Sequence, residues 1–290
     1  MTAGASAPAF GERLGEVFDR LGPLCVGIDP HPYLLDAWRL PGGAAGARDF
    51  GLRVVDAAHR GGAGIVKPQV AFYERWGSAG FAALEEVLHA ARQAGLLIIG
   101  DAKRGDIGST MDAYGDAWFD PESSLRVDAL TVSPYLGLGS MTGLIARARR
   151  AGAGVFVLGA TSNPEARVTQ TARRTDDDGT VSTVAGGIVD DVLHDNQIAG
   201  EPRFGSVGLV LGATVDLVAA GVDPDRLTTT PVLAPGFGHQ GALYRDIPAL
   251  FGAAGRSVVV STSRALLEHG PSDLADAIRR DSDEIRRCLV

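Results

Sequence analysis

Leu97-Ile98-Ile99-Gly100-Asp101-Ala102-Lys103-Arg104-Gly105-Asp106 passes from an uncharged run directly into four charges within six residues. The apolar half is short and follows Gly95, so it reads as a buried strand over Leu97–Asp101. Working outward, runs of the same kind stand at Leu24–Ile28, Gly64–Lys67, Ala129–Val132, Gly154–Leu158, Val207–Leu211, Pro231–Ala234 and Ser257–Val260. Amphipathic helical patterns lie between them, such as Phe81–Ala94 before Gly95 and Ala213–Ala220 before Gly221. Each of those glycines stands where a helix takes its C′ residue. Eight strands with helical crossovers predict an α/β chain closed as a (β/α)8 TIM barrel, one domain over residues 1–290. The alternative is an open doubly wound sheet. It would carry GxGxxG after the first strand, whereas this chain reads Gly27-Ile28-Asp29-Pro30-His31-Pro32.

Length and composition agree with one large core. The chain has 290 residues, and 45% hydrophobic against 21% charged is an ordinary globular balance. A net charge of −8 argues against nucleic acid as a partner, because no basic tract would release phosphate counterions. A local cluster can still reverse the field for a small anion. Cys25 and Cys288 form no CxxC or metal spacing, which fits a reduced, cytoplasmic setting. Met1–Phe10 lacks the pattern of a signal peptide, and no apolar run is long enough to span a membrane. The longest irregular stretch, Asn163–Ala185, reads as a solvated excursion, or as a lid from its place after the fifth strand.

Lysine is nearly absent. Of 27 basic residues only Lys67 and Lys103 are lysines. Arginine serves for surface charge but cannot give up a proton, so the two lysines mark places where chemistry demands an amine. Asp101 and Lys103 are two apart and share a strand face. Lys67 ends the preceding strand and should stand beside Asp101, with Asp106 nearby after the turn at Gly105. Such charges are costly after a buried strand unless they pair. At the carboxyl end of a barrel strand they point to catalysis.

The stretch Asp101-Ala102-Lys103-Arg104-Gly105-Asp106-Ile107-Gly108-Ser109-Thr110 resembles the active-site signature of the orotidine 5′-phosphate decarboxylase family, in its longer bacterial subgroup. Further similar blocks are Val26–Pro30, Lys67–Glu74, Thr161–Pro164, Ala234–Gly241 and Ser261–Arg264, each just after a strand. The resemblance implies conversion of orotidine monophosphate to uridine monophosphate and carbon dioxide in pyrimidine biosynthesis, without metal or organic cofactor. Lys103 would stabilise a carbanion at C6 and protonate it. Asp101 would sit beside the substrate carboxylate. Two like charges about 4 Å apart repel by about 4 kcal/mol at an effective dielectric of 20, and relief of that would give about 10³ in rate. Positioning and carbanion stabilisation must supply most of the acceleration. Lys67 would contact ribose and Asp101, Asp29 a ribose hydroxyl, and Ser162 the pyrimidine edge. Gln240 would bridge phosphate and pyrimidine, and Arg264 would grip the phosphate at the start of a last helix begun by Ser261-Thr262-Ser263. Asp106 and Thr110 would reach the site of a second subunit, implying a homodimer with shared sites. His31 and His239 receive no role. Two departures stand out: Ser133 where asparagine is expected, and His239 where a small residue is more usual.

Three rivals remain. A magnesium-dependent sugar-phosphate decarboxylase or hexulose-phosphate synthase shares Asp-x-Lys-x-x-Asp, but the loop Pro235–Gly241 and Arg264 speak against it. A Schiff-base aldolase would need Lys103 as a neutral amine, which the flanking carboxylates oppose. A non-catalytic phosphonucleotide-binding barrel would gain nothing from the aspartate-lysine array.

Overall fold

In the computed structural model, which describes residues 8–289, all eight anticipated runs form strands and pair in parallel into a closed barrel. Residues 1–7, most of the stretch read above for a signal peptide, lie outside that range. The strands are β1 (Leu24–Ile28), β2 (Ile65–Pro68), β3 (Leu97–Arg104), β4 (Ala129–Val132), β5 (Gly154–Ala160), β6 (Arg173–Thr175), β7 (Val181–Thr183), β8 (Val207–Leu211), β9 (Val232–Pro235) and β10 (Val258–Thr262). The barrel closes in the order β1-β2-β3-β4-β5-β8-β9-β10, while β6 and β7 form a separate antiparallel hairpin. Among the described residues no helix is long and apolar enough to cross a membrane.

The alternation of side chains along each strand positions the site. Leu24, Val26 and Ile28, like Val258 and Val260, face outward and join the layer under the helices. Cys25, Ile65, Leu97, Ile99, Ala129, Phe156, Leu233 and Val259 face the axis and form a second, inner cluster. The helix Phe10–Leu21 closes the amino end of that inner core, with the Phe10 ring edge-on to Phe156 at 5.9 Å. Counting two residues further along the inward face gives Lys67 after Ile65, Asp101 after Ile99, Thr131 after Ala129 and Ser261 after Val259. Apolar layers fill the lower barrel, and polar residues take over at the carboxyl ends.

Several expectations need correction. The helix after Phe81 begins earlier, spanning Gly77–Gln93. It ends at Gly95 as expected, with Leu96 N–H donating to Ala91 O (3.1 Å) and Gly95 N–H to Arg92 O (3.0 Å). Ala213–Ala220 is not a helix. Thr214 and Val215 are β-branched, and Asp216 caps the backbone N–H of Ala219 (2.9 Å), so only isolated turns form before Gly221. Nor is Asn163–Ala185 irregular throughout, for it holds the helix Ala166–Gln170 and the β6–β7 hairpin. Asp176–Gly179 forms the hairpin turn, and Arg174 fixes the hairpin to Asp191 through two 2.8 Å bonds. Ser261 and Thr262 belong to β10, so the next helix starts at Arg264 itself.

Candidate active site

A cleft of about 260 Å³ opens at the carboxyl ends of the strands, and Asp29, Lys67, Asp101, Lys103, Gln240 and Arg264 all line it. Its floor is the charged array. Asp101 Oδ2 accepts from Lys67 Nζ (2.8 Å) and Gln69 Nε2 (3.1 Å). Asp101 Oδ1 accepts from Lys103 Nζ (2.5 Å) and Thr131 Oγ1 (3.0 Å). Four donors on one carboxylate supply the partners that burial requires. The trio of Lys67, Asp101 and Lys103 carries a formal net charge of +1. The Lys67 and Asp101 side chains are only 8% and 10% exposed, but that of Lys103 is 46% exposed, so Lys103 is the ammonium free to meet a ligand.

Electrostatics follow the geometry. Burial would raise the pKa of Asp101, but the charges of Lys67 and Lys103 outweigh it and hold the carboxyl well below its usual range. Burial works against the Lys67 ammonium, yet Asp101, with Asp29 behind it, keeps its pKa above the ordinary lysine value. Beneath them, burial pushes the Cys25 thiol up to about 12, which leaves it inert.

Backbone strain marks the same spot. Lys103 has φ +49°, a left-handed conformation that costs a non-glycine residue roughly 1–2 kcal/mol. The β3–β4 ladder slips here: Gly100 faces Leu130 and Arg104 faces Val132, so three residues of β3 oppose Thr131 alone. The Lys103 N–H, displaced from the ladder, donates to Thr131 Oγ1 (2.9 Å).

At the other end, Asp29 Oδ2 accepts from Ser263 Oγ (2.6 Å), while its buried Oδ1 has no partner among the described residues. Gly27 permits this approach, because a Cβ there would lie 2.6 Å from that of Ser263. Arg264 is half-buried at the cleft wall, and among the described residues no carboxylate lies within ion-pair distance of it. The loop after β9 turns through Gly236, Gly238 and Gly241, all with positive φ, and carries His239 and Gln240 into the cleft lining. Ser162 is not part of the wall, but its Oγ donates to Gln240 Oε1 (3.3 Å), joining the loops after β5 and β9. His31 packs on Phe72 at 4.4 Å, and burial, with Arg264 and His239 nearby, lowers its pKa. Ser133 stays out of the cleft and ties its N–H to Arg104 O (2.7 Å).

Asp106 and Thr110 do not join the array of their own chain. Asp106 accepts from the N–H of Ile107 (2.8 Å), and Thr110 is exposed at the start of the next helix. Sequence reasoning missed Thr131, Gln69 and Ser263. Counting by twos along the fourth strand from Ala129 would have found Thr131; Gln69 and Ser263 act from irregular backbone and gave no periodic signal.

Comparison with known proteins gives a consistent result. A profile described as the Orotidine 5′-phosphate decarboxylase / HUMPS family matches residues 22–279. An orotidine 5′-phosphate decarboxylase of Streptomyces coelicolor is 46% identical over 284 residues, covering 97% of this chain and 98% of that protein. One from Nocardioides is 47% identical over 280 residues, covering 96% and 98%. A crystal structure described as a candidate orotidine 5′-phosphate decarboxylase of Streptomyces avermitilis superposes with TM-score 0.91 at 46% identity, covering 100% of this chain and 99% of the other.

Proposed function

The chain belongs to the orotidine 5′-phosphate decarboxylase / HUMPS family and is a carboxy-lyase, and on that premise we propose that it converts orotidine 5′-monophosphate to uridine 5′-monophosphate and carbon dioxide with its own side chains alone. The observation that carries this reading is the Lys67–Asp101–Lys103 array on the cleft floor, with unpaired Arg264 at the far wall. The substrate lies with its phosphate at Arg264 and Gln240, its ribose against Asp29 and Lys67, and C6 over Lys103. The unsatisfied Oδ1 of Asp29 supports the ribose contact, since a buried acceptor gains most from a hydroxyl donor. The Ser162–Gln240 bond supports a shared role at the pyrimidine edge.

Lys103 stabilises the C6 carbanion and then delivers the proton to it. A preorganised ammonium in a partly enclosed site stabilises developing negative charge without reorganising water. An arginine there has no proton to give. With both oxygens of Asp101 already holding ammonium groups, its main contribution is to aim Lys103. Bare repulsion of the substrate carboxylate is correspondingly reduced, because the trio presents +1 rather than −1.

Asp106 and Thr110 act in the cleft of a second copy. Support comes from the apolar side chains exposed on the loops after β3 and β4, with Ile107 60%, Tyr135 86% and Leu136 52% accessible in the isolated chain. The cytoplasm suits the protein, as Cys25 and Cys288 are both free thiols.

The test is ultraviolet-monitored loss of orotidine monophosphate in excess chelator, with Lys103→Ala as control. Rapid chelator-insensitive conversion that the substitution abolishes is the expected result. No turnover by the folded protein would sink the reading and bring forward the metal-dependent sugar-phosphate chemistry.

A further inference from the structure

We infer that Thr131 is a positioning residue for Lys103, its hydroxyl locking both the backbone and the ammonium of that lysine; the inference rests on the decarboxylase reading above. Thr131 is the one residue of β4 opposite the slipped segment Asp101-Ala102-Lys103, and it is 1% exposed. Its backbone stays in register with β5, paired with Phe156. The side chain is therefore carried by regular strand on one side and faces irregular strand on the other.

A threonine hydroxyl has one proton to donate and two lone pairs. Here it accepts from the Lys103 N–H at 2.9 Å, so its proton is committed to Asp101 Oδ1 at 3.0 Å. That same oxygen receives Lys103 Nζ at 2.5 Å. The contacts close a ring: Lys103 backbone, Thr131 hydroxyl, Asp101 carboxylate, Lys103 ammonium. One end of the lysine is fixed in a left-handed conformation and the other on a carboxylate that Thr131 itself orients. Valine would fill the same space in a strand, but it cannot complete the ring. A serine would restore the hydroxyl without the methyl.

Reactions that depend on aim lose rate before they lose affinity, and a displacement near 1 Å can cost about 100-fold. The experiment compares wild type, Thr131→Val and Thr131→Ser in steady-state decarboxylation of orotidine monophosphate, with thermal unfolding of each. Wild-type turnover is the precondition; its absence would strike the functional reading, not this inference. Given turnover, Thr131→Val should lower kcat by about 10- to 100-fold with KM within about threefold, and Thr131→Ser should recover most of kcat. Should the valine protein not fold, Thr131→Ala is read in its place. Three results would overturn the inference: kcat within twofold of wild type, a serine variant as slow as the valine one, or a loss confined to KM.

Discussion

Asp101 is the residue on which the site turns, and its pH behaviour can be worked out from its partners. Its folded pKa lies below the ordinary carboxylate value of 3.8, so its ionic contribution to stability is present above that value and is lost as pH falls towards the depressed one. Lys67 is the mirror case: its folded pKa lies above 10.5, so its contribution holds below that pH and is lost as pH rises beyond it. Asp101→Asn leaves two ammonium groups on a neutral amide and should cost about 3–5 kcal/mol near pH 7. Urea midpoints of wild type and variant should converge below pH 4; a gap that stays constant with pH would refute the ionic account. Asp29 makes a separate prediction through its unpartnered Oδ1. If it binds a ribose hydroxyl, Asp29→Asn should raise KM about 10- to 100-fold, the range for a hydrogen bond to a charged group. An unchanged KM would remove Asp29 from the substrate. At this scale much could be read from sequence, because two lysines among 25 arginines announce themselves. Thr131 could not, since a threonine in a strand is unremarkable until the opposing ladder slips.

At the scale of elements, the loop after β9 depends on an anchor at its far end. Tyr244 packs tilted against Phe237 (ring centroids 5.7 Å apart), donates to Asp281 Oδ2 (2.6 Å) and lies 3.2 Å from Thr262 Oγ1, just before Ser263 and Arg264. It thus ties the loop bearing Gln240 to the end of β10, two residues before Arg264. Burial raises the pKa of Asp281, and the Tyr244 hydroxyl works against that rise by donating to the carboxylate. Tyr244→Phe should forfeit roughly 1 kcal/mol of loop positioning, about fivefold in KM, while kcat changes little. Steady-state kinetics decides it: a lower melting temperature with KM unmoved would make Tyr244 a fold anchor only. The strands themselves were legible because a central parallel strand is apolar on both faces, and β1, β4 and β8 match their anticipated limits. Helices were less so. Ala213–Ala220 has the apolar count of a helix, but its outcome rests on Asp216 competing for backbone donors, which period counting does not weigh. The hairpin in Asn163–Ala185 escaped for a similar reason, its hold on the body being the Arg174–Asp191 pair rather than any apolar stripe.

For the whole molecule, the open question is whether one chain makes a complete site. Its own cleft gathers Lys67, Asp101, Lys103, Asp29, Gln240 and Arg264, whose charges sum formally to +1 in a chain of net charge −8. Asp106 and Thr110 stand outside, on the surface where Ile107, Tyr135 and Leu136 are exposed. A two-fold axis through that surface would make it self-complementary and would carry each Asp106 towards the opposite cleft. Mixed dimers test this. Pair a Lys103→Ala subunit with an Asp106→Ala subunit, tag each differently, and purify the heterodimer. If sites are shared, one cleft collects both substitutions and the other collects neither. The heterodimer should then show about half the wild-type activity per dimer, although each parent homodimer is nearly inactive. If each chain completes its own site, both clefts carry one lesion and the heterodimer stays as slow as its parents. That outcome, in dimers proven to be mixed, would make Asp106 serve the cleft of its own chain, from the turn where it accepts from the N–H of Ile107.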